Sequence, residues 1–132
     1  MSIKKLTSFV LDFATWRSGK DSPANAVGKG ETKLLNEQGY MCCLGQYCLQ
    51  AGISRENILN KATPIIVRKE IPLLNYSFKG EVYMKGSMIT TKFTDVAIGI
   101  NDNPTTTPET KIEQLKKLFE SKGVSFTVIN KP

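Results

Sequence analysis

Histidine is absent from all 132 residues of the chain. That absence excludes Ser-His-Asp and Cys-His catalysis, histidine acid–base chemistry and the common zinc sites. Cysteine is scarce and clustered, with Cys42, Cys43 and Cys48 as the only three. A disulfide framework spreads an even number of cysteines along a chain, so reduced thiols are the reading here. Long apolar runs are also missing, and none approaches the roughly 20 residues that span a bilayer. Near the N-terminus, Asp12, Thr15 and Arg17 break the hydrophobic stretch, which therefore lacks the apolar core of a signal peptide. These absences point to a cytoplasmic protein with no membrane contact. There is no calcium loop, no Gly-x-x-x-x-Gly-Lys-Ser/Thr phosphate loop, no basic tail and no internal repeat.

What remains is the composition of an ordinary globular domain, with 40% hydrophobic and 23% charged residues. A single domain over residues 1–132 fits the length. The net charge is +6, from 18 Lys and Arg against 12 Asp and Glu. Such a surface favours anionic partners: a nucleotide, a nucleic acid or an acidic protein. Solubility alone accounts for the same surplus.

The periodicity predicts an α+β fold, a single small domain with an antiparallel or mixed sheet packed against about three helices. Ile3, Leu6, Phe9, Val10, Phe13 and Trp16 recur at steps of three and four, the pattern of an amphipathic helix over residues 3–17 capped by Ser2. Residues 18–31 read as a polar loop. Residues 32–37 and 40–43 flank Gln38-Gly39 as a short hairpin. Leu44, Tyr47, Cys48 and Ala51 then take helical spacing, and Gly52 suits the helix end. Ser54 suits the cap of a short turn through Asn60. Pro64 and Pro72 bracket Ile65-Ile66-Val67, an extended or edge segment. Residues 73–100, rich in Tyr, Phe, Val, Thr, Met and Ile, read as strands, with Gly80 at a bulge, Lys85-Gly86 at a turn and a further strand over Val96 to Ile100. Thr107-Pro108-Glu109 opens a helix with the buried stripe Ile112, Leu115, Leu118 and Phe119, closed by Gly123. Residues 125–129 form a last strand.

The pattern Gly30-x-x-x-Leu34-Leu35-Asn36-x-x-Gly39-x-Met41-Cys42-Cys43-Leu44-Gly45 resembles a family of small phage and prophage proteins. The resemblance extends to Asn101-Asp102 and the late helix from Lys111 to Phe119; residues 53–95 carry none of it. It implies an accessory protein of the kind that blunts host defences, and it supplies no activity, metal or cofactor. The cysteines of this segment read as packing, since free cysteine is mostly a small buried hydrophobe, with Gly45 allowing close approach of the helix. Trp16 reads as core.

Loop chemistry selects Arg17, Lys20, Lys29, Asn36, Asn101 and Asp102 as candidate ligand-binding residues. Arg17, Lys20, Lys29 and Lys33 concentrate positive charge around Gly28-Lys29-Gly30, whose backbone can face an anion. Asn101-Asp102-Asn103-Pro104 precedes a helix start, where side-chain amides and helix N–H groups can read a polar ligand; turn formation explains the same residues. A helix start could lower the pKa of a thiol, but with no histidine to serve as its base the expected protein is no enzyme and needs no cofactor. It binds an anionic small molecule such as a nucleotide, or a host protein. Nucleic acid and a homo-oligomer are further candidates.

Overall fold

In the computed structural model the described residues are 5–19, 32–64, 70–78 and 91–131. In chain order the elements are strand β1 (Ser8–Asp12), helix α1 (Cys43–Gln50), strands β2 (Ser77–Phe78) and β3 (Thr91–Lys92), helices α2 (Phe93–Asp102) and α3 (Pro108–Glu120), and strand β4 (Ser125–Ile129). The fold is α+β. β1 pairs in parallel with β4, Ser8 beside Ser125 through Asp12 beside Ile129, and β2 pairs antiparallel with β3.

The first helix expected from the sequence is a strand. Phe9, Leu11 and Phe13 also alternate at a step of two, and all three are buried. Pairing with β4 selects that period over the helical one. The chain then turns: Asp12 Oδ1 accepts from Ala14 N at 3.0 Å, and its carbonyl accepts from Trp16 N at 3.1 Å. Ser2 and Ile3, the start of the expected helix, lie outside the described residues. So do most of the 18–31 loop, Ile65-Ile66-Val67, Gly80 and Lys85-Gly86.

The predicted hairpin is a closed loop instead. Asn36 N donates to the Tyr40 carbonyl at 2.9 Å and Cys42 N to that of Lys33 at 3.1 Å, with Gly39 at φ +91° in the turn. Its flanks form single parallel bridges to other segments, Met41 with Trp16 and Leu35 with Leu59. After the turn α1 begins at Cys43, two residues before Gly45. Gly52 ends it at φ +100°, and Ile53 N reaches back to the Cys48 carbonyl at 3.0 Å.

Between residues 73 and 100 the expected strands stand at Ser77–Phe78 and Thr91–Lys92, and the larger correction falls on either side of them. Pro72–Asn75 is a 3₁₀ turn, and α2 occupies the segment read as strand. Phe93, Val96, Ala97, Ile100 and Asn101 are buried at helical spacing along α2. The β-branched composition of the segment argues for a strand, and packing overrides it. α3 and β4 stand where expected. Thr107 Oγ1 accepts from Thr110 N at 3.2 Å at the start of α3, and Gly123 closes the turn beyond it at φ +79°. Lys111 joins the buried stripe of α3, while Ile112 is only half-buried.

An aromatic cluster joins these pieces. The Phe119 ring of α3 lies 4.9 Å from Phe9 of β1, 5.5 Å from Tyr47 of α1, 5.1 Å from Phe93 of α2 and 5.6 Å from Phe126 of β4. Helix α1 also crosses the chain at Leu34 very closely: a Cβ on Gly45 would stand 1.7 Å from the Leu34 carbonyl oxygen. Only glycine fits there.

The far edge of β1 is sealed by side chains. The Gln50 amide accepts from Val10 N at 3.0 Å and donates to Val10 O at 2.6 Å. One turn earlier Gln46 does the same for Asp12, at 2.7 and 2.9 Å, and also donates to Thr15 Oγ1 at 3.1 Å. Spaced four apart on α1, the two amides imitate a neighbouring strand.

Candidate functional site

The six candidate residues separate by position. Lys20 and Lys29 lie outside the described residues, as does Gly28-Lys29-Gly30. Asn36 is buried, and its Oδ1 accepts from Gln38 N at 3.0 Å and Tyr40 N at 2.9 Å, so its side chain shapes the turn. Arg17 is half-buried. Its guanidinium lies over the Tyr40 ring, 3.4 Å from the centroid, and donates to the Trp16 carbonyl at 3.0 Å.

Asn101 and Asp102 end α2 and come together with Arg17, whose carbonyl accepts from Asn101 Nδ2 at 3.0 Å. Asn101 is fully buried. Its Oδ1 accepts from the Trp16 indole at 2.6 Å and from Cys43 N at 3.1 Å. The second Nδ2 hydrogen goes to Asp102 Oδ1 at 2.8 Å. Both lone pairs and both hydrogens are therefore used inside the protein. One consequence is local. Cys42, at the N-cap of α1, offers no side-chain cap, and Asn101 supplies that function from another helix.

Around this amide lies a second layer that the sequence reading did not select. Lys111 is fully buried, and its ammonium donates to the Asn101 carbonyl at 2.7 Å and to Ser18 Oγ. Ser18 Oγ donates to the same carbonyl at 3.0 Å. Thr32 N donates to Asp102 Oδ2 at 3.1 Å, and Thr32 Oγ1 accepts from Gly19 N at 2.6 Å. Burial pushes the Lys111 ammonium below its ordinary range, while the nearby Asp102 carboxylate and Cys43 pull the other way. The signal for Lys111 was present in its place one turn before Leu115 on the apolar stripe. Ser18 and Thr32 carried none.

The three thiols are buried and unpaired with one another. Burial pushes Cys42 and Cys48 up to about 12 and raises Cys43 well above the ordinary thiol range. Such thiols stay protonated at neutral pH and are poor nucleophiles. Among the described residues, no group of three His, Cys, Asp or Glu is placed to hold a metal ion. No helix there is long and apolar enough to cross a membrane.

Concavities mark the described surface. An open cleft of about 270 Å³ is lined by Asp12, Thr15, Met41, Gln46, Leu49 and Gln50. A pit of about 50 Å³ lies between Leu6, Tyr47, Ile71, Leu73 and Val124, with Lys5 and Lys122 also lining it. No protein-family model, curated protein or solved structure matches this chain. Any function must therefore be argued from the geometry and from the residue pattern around Cys42-Cys43.

Proposed function

We propose that this protein is a non-catalytic binding protein that captures an anionic partner, in the role of a phage accessory protein countering a host defence. The observation that carries the reading is where the reactive groups sit. All three thiols are enclosed within the fold, and among the described residues the buried Lys111 and the Asn101 amide are enclosed and bonded there. Exposed Lys5, Lys61 and Lys116 face outward, with Lys117 beside Glu113 at 3.5 Å and Lys33 donating to Asn60 Oδ1 at 3.4 Å on the same exposed surface. The net charge of +6 favours an acidic partner.

Between a nucleotide signal and an acidic surface on a host protein, the second is preferred. A nucleotide needs convergent polar groups with free valences. Asn36, Asn101 and Asp102 direct theirs inward. The test is expression in a host whose defence restricts a phage, with plating efficiency as readout. Restored plating that is lost in Lys116→Glu/Lys117→Glu supports capture through an acidic protein surface; unchanged restriction overturns the role. Thermal shift against cyclic and ADP-ribose-type nucleotides decides the partner class, and a clear shift returns the nucleotide to first place. Salt-sensitive retention of DNA or RNA would instead favour a nucleic acid.

A further inference from the structure

The two outer edges of the β1–β4 pair are treated differently. The edge of β1 is closed by the Gln46 and Gln50 amides. In β4, Ser125 N donates to Thr7 O at 2.9 Å and Ile129 O accepts from Phe13 N at 3.0 Å, so residues 125, 127 and 129 turn their backbone groups toward β1. Phe126 and Val128 turn theirs outward, and among the described residues nothing bonds to them. Natural proteins blunt such edges with charge, proline or a covering segment. From Val124 to Asn130 this one has no charged residue and no proline, in a chain of +6 net charge. Ile129 stands 48% exposed at its end.

We propose that β4 pairs antiparallel with β4 of a second copy of this chain, making one four-stranded sheet across a two-fold axis. The strand is complementary to itself. Centred on Thr127, the pairing sets Phe126 opposite Val128 of the second copy and Val128 opposite its Phe126. Each of these pairs exchanges two backbone hydrogen bonds, which satisfies the outward groups. On the core side, half-buried Val128 is covered by an aromatic neighbour. On the outer side Thr127 meets Thr127, and exposed Ile129 lies against Ser125. No like charges meet anywhere along the register, which is the condition two cationic copies must satisfy. The uncharged segment complements itself residue for residue about Thr127, so the second copy is the occupant this edge fits.

The test is mass in solution by light scattering and sedimentation across a wide concentration range, with two variants at the axis. Thr127 is exposed, so both variants keep the core, which circular dichroism checks. Wild type should associate to a dimer as concentration rises. Thr127→Lys places two ammonium groups face to face and should return the protein to monomer. Thr127→Cys should form a disulfide-linked dimer under mild copper oxidation, while wild type, whose own thiols are buried, should not. A wild type that stays monomeric at every concentration overturns the proposal. So does a dimer that persists in Thr127→Lys and that Thr127→Cys fails to cross-link.

Discussion

Asn101 does the work of several residues. It caps α1 from a distance, anchors the Trp16 indole and holds the Arg17 carbonyl. Asn101→Ala leaves an indole N–H, a backbone N–H and a carbonyl buried without partners. Each such group costs about 1–3 kcal/mol, so the variant should lose at least about 3 kcal/mol in urea unfolding. That is a large share of the ~5–15 kcal/mol that holds an ordinary domain. Asn101→Asp should fare little better, because it keeps the acceptor, loses both donors and sets a carboxylate beside Asp102. Lys111 behaves differently. Ser18 still donates to the Asn101 carbonyl when the ammonium is gone. Lys111→Met, similar in volume and apolar, should therefore fall within about 1 kcal/mol of wild type or exceed it at pH 7. Any advantage over wild type should shrink as pH rises toward 10.5, since the folded wild-type lysine loses its proton before the unfolded one does. An advantage that grows with pH would contradict the assigned direction.

At the scale of elements, what was legible in the sequence depended on capping chemistry more than on hydrophobic pattern. Thr107-Pro108-Glu109 marks the start of α3, and Gly52 and Gly123 mark helix ends, because local bonds and φ preferences fix them whatever surrounds them. Residues 3–17 failed because their apolar spacing satisfies two periods, and the choice is made by a strand at the other end of the chain. α2 failed for the opposite reason: its period was helical and its composition was not. The described part of the candidate site is a set of internal contacts. Arg17, Asn101 and Asp102 do converge, yet toward one another and the core. Nothing in a lone sequence shows that a loop amide will face inward. The glutamine seal was equally hidden, although its spacing of four is visible. Gln46→Ala removes three bonds from a buried position and should cost about 1–3 kcal/mol. Gln50→Ala, at an exposed position where water replaces the amide, should stay within about 1 kcal/mol. Equal losses in thermal unfolding would mean that the seal does not act through burial.

For the whole molecule, the buried acids set an alkaline limit. The thiols of Cys42 and Cys48 are pushed up to about 12 by burial, Tyr47 to about 12 for the same reason, and Cys43 moves in the same direction. In the unfolded chain these groups release protons near their ordinary values of 9.0 and 10.0. Above pH 9 the folded state therefore holds more protons than the unfolded one, and stability falls as pH rises. Each thiol contributes a slope of about 1.4 kcal/mol per pH unit across that window. Lys111 works in the opposite sense, but one lysine faces three thiols and a phenol. Tm should be nearly flat from pH 7 to 8.5 and drop steeply between pH 9 and 11. A flat profile to pH 11 would show that the thiols titrate as free ones do.

The parallel pairing of β1 with β4 has a further consequence for how the protein is made. Asp12 and Asn130, hydrogen-bonded at 3.0 Å, are 118 residues apart in the chain. During synthesis β1 emerges before β4 and must wait for it as its sheet neighbour. In that interval Phe9 and Leu11 have no sheet to bury them, and contacts of such long range form slowly. The nascent chain is thus exposed to chaperones and proteases throughout that interval. The structure closes only once β4 has emerged, and not at any earlier stage.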